Sequence, residues 1–198
     1  RIVKFIHDDL RYEPTQFISY NDFDRSDIFR QQADRYNGDD LVYGKVDKTD
    51  ISFSEVHAAY KTSSSDDNGS KETWHKLFDG IFFIADFHKS FKGKHFVLPD
   101  VAEKSFGSLG KFFQKMNKGR GSLIELEDVE FEKEFAVYGS DQVEARYILS
   151  SSMMRRILEL KKRRNKNIMM SFVNSRINIA IPYDHNLFEP RFYSSILK

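Results

Sequence analysis

The chain is predicted to fold as an α+β domain: a largely antiparallel, twisted sheet with one amphipathic helix packed on it and short helices at its edges. Three observations predict this. Nineteen Phe and nine Tyr among 198 residues fall in runs broken by polar residues, which suits pleated, half-buried strands better than a helical bundle. Alternating apolar and polar positions recur from Leu41 onward, with the period of two that belongs to strands. One segment carries a helical stripe, Met153, Met154, Ile157, Leu158 and Leu160. The length suits one core, and no linker or internal repeat divides residues 1–198.

Taken in order, Ile2, Val3, Ile6 and Leu10 are spaced near fourfold and predict the tail of an upstream connecting helix over residues 1–11. Pro14 ends it, because the residue before a proline is driven out of the helical region. Ser26 to Arg35 reads as a short helix with Ser26 as its N-cap. Leu41 to Val46 and Ile51 to Tyr60 read as a hairpin turning at Asp47 to Asp50, and a shift of apolar phase predicts a bulge near Ser54-Glu55. Ser63 to Ser70 has no apolar anchor and is expected as a mobile hairpin tip. Leu77 to Phe87 is apolar on both faces, as in a central strand. A strand at His95 to Leu98 follows, ended by Pro99. A short helix is expected at Leu109 to Met116 between glycines. Strands at Leu123 to Leu126, Phe131 to Tyr138 and Val143 to Leu149 are expected to form a meander. Ser150, Ser151 and Ser152 cap the main helix, which runs to Arg163 or Arg164. A last hairpin, Ile168 to Val173 and Ile177 to Ile181, turns at Asn174-Ser175.

Thirty-one Lys and Arg against thirty Asp and Glu leave a net charge of +1, so any electrostatic partner must be met by a local patch. The absence of Cys excludes disulfides, iron–sulfur clusters, thiolate zinc sites and a thiol nucleophile. No run approaches the roughly 20 apolar residues that span a bilayer.

Several runs, read together, resemble a known family: Leu41-Val42-Tyr43-Gly44, Phe53-Ser54-Glu55-Val56-His57, Leu77-Phe78-Asp79-Gly80-Ile81-Phe82-Phe83, Leu126 to Phe135, Asp141 to Leu149 and the closing Phe188-Glu189-Pro190. They resemble a bacterial domain of unknown function, number three-one-three-seven. The resemblance implies membrane-spanning segments ahead of this domain, and it brings no activity and no catalytic residues.

Candidate chemistry is sparse. Asp86 and His88 alternate onto one strand face and could pair as ligands or as acid and base, but two groups are too few for a metal site. The six His are dispersed, so no cofactor and no specific transition-metal site is expected. Glu130, Glu132 and Glu134 would share a strand face, with Glu144 and Arg146 extending a charged row, and this reads as a solvated face. The serines at 150 to 152 lack the surroundings of a nucleophile elbow. Gly119-Arg120-Gly121-Ser122 lacks phosphate-loop spacing and reads as an ordinary loop.

One feature suggests a partner. Lys161, Lys162, Arg163, Arg164 and Lys166 gather cations at a helix C-terminus, where they complement the dipole and can also contact an anionic surface. Nucleic acid is disfavoured because no aromatic residue interleaves with them. The expectation is a non-enzymatic module of a bacterial membrane-anchored protein, on the cytoplasmic side, binding a protein partner or the membrane surface. The alternative is a hydrolase-type enzyme whose site assembles only in three dimensions.

Overall fold

A computed structural model describes residues 7–66, 69–100, 120–164 and 166–183. Its strands are β1 (Leu10–Glu13), β2 (Arg35–Val46), β3 (Thr49–Asp66), β4 (Gly69–Asp86), β5 (His95–Pro99), β6 (Ser122–Ile124), β7 (Phe135–Gly139), β8 (Met169–Val173) and β9 (Arg176–Pro182). Helices are α1 (Tyr20–Arg25), α2 (Val129–Glu132), α3 (Gln142–Ile148) and α4 (Ser151–Arg164). All nine strands join one open sheet in the order β1-β2-β3-β4-β9-β8-β5-β7-β6. Every pairing is antiparallel.

Alternation along the central strands gives the sheet two buried faces. On the first, Val56, Phe78, Phe82, Phe96, Leu98 and Met169 pack against Phe23, Ile28 and Phe29 of the segment between β1 and β2. On the second, Val97, Val137, Met170 and Phe172 pack against Phe131, Ile148, Met154, Ile157 and Leu158 of α2, α3 and α4. β5, β8 and β9 therefore serve both cores, as side chains in a strand point alternately to opposite sides. The segment on the first face is tied down by buried polar contacts. Ser54 Oγ accepts from the Ile18 amide at 3.0 Å, Ser171 Oγ donates to the Ser26 carbonyl at 2.6 Å, and the Arg120 guanidinium donates to the Ile28 carbonyl.

Four expectations change. The early helix is Tyr20–Arg25, not Ser26 to Arg35. Its N-cap is Ser19, whose hydroxyl accepts from the Asp22 amide, and Ser26 closes its C-terminus instead; Asp27 then adopts φ 55° and breaks the helix. Leu10 and Arg11, the end of the expected opening helix, lie in β1, which stops before Pro14; residues 1–6 lie outside the described residues. The stretch from Thr62 to Asp66 is regular strand: it pairs with Gly69 to Thr73, extending β3 and β4 as a two-stranded ribbon, and residues 67 and 68 lie outside the described residues. Backbone pairing and cross-strand polar contacts, Lys61 to Glu72 at 2.9 Å and Thr62 to His75 at 2.9 Å, replace the missing apolar anchors.

The fourth change is the meander. β6 and β7 do pair, but Val129–Glu132 and Gln142–Ile148 are helices because Asp128 and Asp141 act as N-caps, accepting from the Phe131 and Glu144 amides. The apparent alternation of Val143, Ala145, Tyr147 and Leu149 is broken by burial: Val143 is 79% and Tyr147 54% exposed, while Ala145, Ile148 and Leu149 are buried. That is the spacing of a helix face. Glu130 and Glu132 accordingly do not form a strand row. The expected bulge is present, with the extra residue on the partner strand: Asp40 and Leu41 together face Ser54, and Asp40 has φ 57°. The final hairpin turns as expected, with Asn174 and Ser175 at φ 54° and 58°, the positive pair of a type I′ turn. The helix expected at Leu109 to Met116 lies outside the described residues.

Candidate functional site

The basic cluster sits at the end of α4, whose buried stripe is Met154, Ile157 and Leu158. Lys161 is half-buried, pairs with Glu134 and lies 5.0 Å from the Phe135 ring centroid. Lys162 donates to Glu130 at 2.7 Å, and that pairing raises its pKa. Lys166 lies 5.5 Å from the Tyr183 ring centroid. Arg163 and Arg164 are exposed. The cations therefore do not act as one block: Lys161 and Lys162 fasten α4 to the acidic run around α2. The outer face of α4 adds Arg155 and Arg156, both exposed, and the acidic residue on that helix is Glu159. At 100° per residue, Arg155, Arg156, Lys162 and Arg163 cover about a third of the circumference. Arg155 and Arg156 are absent from the sequence-based cluster because they stand a turn and a half earlier; helical phase brings them together.

A second arrangement was not anticipated. β2 and β3 bring Asp39, Glu55 and His57 together, each offering a ligand atom within 4.8 Å of the others. Asp39 and Glu55 are direct cross-strand partners, and His57 follows Glu55 by two residues on the same strand face. On β4, Asp79 pairs with His57, and its carboxylate lies 2.6 Å from His57 Nδ1. Glu55 is buried, Asp39 is half-buried and the His57 side chain is 45% exposed. His57 and Asp79 line a groove of about 650 Å³ at the base of the ribbon, together with Arg35, Trp74, His75 and Lys76. Arg35 stacks its guanidinium 3.7 Å from the Trp74 ring centroid.

A third cluster joins α3 to β5. His95 is fully buried, and its Nε2 lies 2.9 Å from Glu144 Oε2. Glu144 also accepts from the amides of Lys92 at 2.8 Å and Gly93 at 2.7 Å. The His95 hydrogen bond, aided by the two amides, holds the Glu144 carboxyl below its ordinary pKa. The backbone at Gly139 lies against His95 so closely that a Cβ there would overlap Nδ1. Buried His95 cannot meet a solute, so this pair fastens α3 to β5.

The remaining candidates disperse. Asp86 faces Arg176 at 4.0 Å, and His88 Nε2 meets Thr49 Oγ1 at 3.0 Å, so they do not act as a pair. Arg120 is buried, with its guanidinium 4.2 Å from the Phe96 ring centroid. Burial lowers its pKa to about 10, and it holds the N-terminal segment in place of a phosphate. Arg146 donates toward the Glu125 carbonyl at 3.4 Å.

Residues 76–198 match a family described as a protein of unknown function, DUF3137. The chain belongs to that family. No curated protein and no solved structure matches the chain. The DUF3137 match begins inside β4, so it takes in β5 to β9 and α2 to α4, including the basic face of α4 and the His95–Glu144 pair. The β1 to β3 strands, with Asp39, Glu55 and His57, precede it. No helix among the described residues is long and apolar enough to cross a membrane.

Proposed function

We propose that this DUF3137 domain is a binding module whose partner is an anionic membrane surface, met by the outer face of α4. The observation that carries this reading is the exposed set Arg155, Arg156, Arg163 and Arg164, against Glu159 alone on the same helix. With a net charge of +1 over the whole chain, a local concentration of this kind is what an anionic partner would meet. Each cation held near an anionic leaflet contributes about 1 kcal/mol, and the attraction fades over a Debye length of about 8 Å at physiological salt. A few such contacts give weak binding by themselves. A tether ahead of the domain, as the family resemblance implies, concentrates it at the surface and multiplies that attraction. The anionic cytoplasmic leaflet is then the matching side.

Co-sedimentation with vesicles tests this. The domain should bind vesicles of mixed phosphatidylglycerol and phosphatidylcholine weakly, release as salt rises, and ignore pure phosphatidylcholine. Arg156→Glu with Arg163→Glu should abolish binding, since both are exposed and neither touches a core. Retention of vesicle binding in that double variant, or tighter capture by single-stranded RNA than by anionic vesicles, overturns the reading.

A further inference from the structure

We propose that Asp39, Glu55 and His57 form a site for a divalent transition-metal ion of the zinc type, with Asp79 orienting the imidazole. The assignment departs from the expectation, drawn from dispersed histidines and absent cysteines, that no ligand set exists. Pairing across the sheet supplies one.

The argument begins with register. Asp39 and Glu55 face each other directly across β2 and β3, which brings their Cβ atoms to about 5 Å. His57, two residues beyond Glu55, points to the same side. The ligand atoms of all three lie within 4.8 Å of one another. In a tetrahedral site with bonds of about 2.0–2.1 Å, neighbouring ligand atoms stand about 3.4 Å apart, a separation that small side-chain rotations reach from here. Two carboxylates and a neutral imidazole balance the charge of a divalent ion, and an oxygen–nitrogen set of this kind suits zinc or manganese.

Asp79 supplies the independent observation. Its carboxylate stands 2.6 Å from His57 Nδ1, so metal binding through the other ring nitrogen, Nε2, would leave this contact in place. Such carboxylate–histidine pairs fix ring orientation and raise ligand basicity at metal centres. The imidazole is the ligand that solvent reaches: His57 and Asp79 line the groove and 45% of the His57 side chain is exposed, while Glu55 is buried. Three protein ligands with one side open leave a coordination position for water or a small anionic ligand.

Isothermal titration calorimetry of the purified domain with zinc chloride, in a buffer that does not chelate, tests the site. Wild-type protein should bind one equivalent in a saturable phase. His57→Ala should abolish that phase, and Asp79→Asn should weaken it about 10- to 100-fold. His75→Ala, which removes the other groove histidine, should leave it unchanged. Circular dichroism of each variant establishes that the fold is retained, and His57 is exposed enough for its truncation to be tolerated. In nitrogen-15 spectra of the histidine rings, zinc should move Nε2 of His57 while Nδ1 stays protonated. The proposal fails if wild-type protein shows no saturable phase, if His57→Ala binds as tightly as wild type, or if His75→Ala abolishes binding.

Discussion

Glu144 shows how much one side chain can organise when three donors converge on it. It receives His95 and the amides of Lys92 and Gly93, so Glu144→Ala strands a fully buried imidazole and two amides. Loss of about 2–3 kcal/mol is expected in denaturant unfolding. The pH dependence has a definite sign. The folded carboxyl titrates below its ordinary value, first because of His95, so its contribution is complete above the unfolded carboxylate range near pH 4.3 and disappears as pH falls through the folded value. Thermal midpoints measured from pH 7 down to pH 3 should fall less steeply on the acid side in Glu144→Gln than in wild type. None of this could be read along the chain, since reading Glu144 into a strand put it on a face with Arg146 and away from His95. Asp141 held the missing signal: an Asp three residues before a Glu, after the Tyr138-Gly139-Ser140 break, is the start of a capped helix.

Among the elements, legibility followed the strength of the local rule. The hairpin of β8 and β9 was readable because Asn174-Ser175 tolerates the positive φ that a two-residue turn demands, and its flanks alternate cleanly. It also offers a direct check. Ser175 holds φ 58° at a cost that glycine does not bear, so Ser175→Gly should raise stability by about 0.5–1 kcal/mol, measured as a higher denaturant midpoint with an unchanged slope. α4 was readable because its stripe, Met153 to Leu160, recurs over about two turns of a 14-residue helix. α1, α2 and α3 are 6, 4 and 7 residues long, too short for periodicity to distinguish helix from strand, and only their caps identify them. The metal-ligand set was half legible. Glu55 and His57 share a face in any strand reading, but Asp39 reaches them through a register that the bulge at Asp40 and Leu41 resets, and register is a property of two strands together.

At the scale of the whole molecule, one sheet carries two cores, and three strands belong to both. A one-residue slip in β5, β8 or β9 would exchange the two apolar sets, so the faces must form together. Phe82→Ala in the first core and Phe135→Ala in the second should each cost about 3–5 kcal/mol. Tryptophan fluorescence and far-ultraviolet circular dichroism should record one coincident transition for wild type and both variants; two separated transitions would mean the faces unfold independently. Phe131 and Phe135 are buried and Met153 packs at the margin, whereas Tyr147 is exposed. Composition and alternation reached the antiparallel sheet, but the layering could not be foreseen, because the segment around Phe23, Ile28 and Phe29 covers the first face by irregular chain that carries no period. The ribbon has mechanical meaning in this setting. β2 leaves β3 at Ala59 and β9 leaves β4 at Gly80, so from Tyr60 to Asp66 the two strands continue alone, a cantilever of about 20 Å at ordinary strand rise. Its root is the irregular step between Ala58 and Ala59, beside the groove that holds His57 and Asp79. Anything seated toward the far end of the ribbon, near Ser64 or Lys71, would act on that root through a lever of this length, and His57 lies beside it.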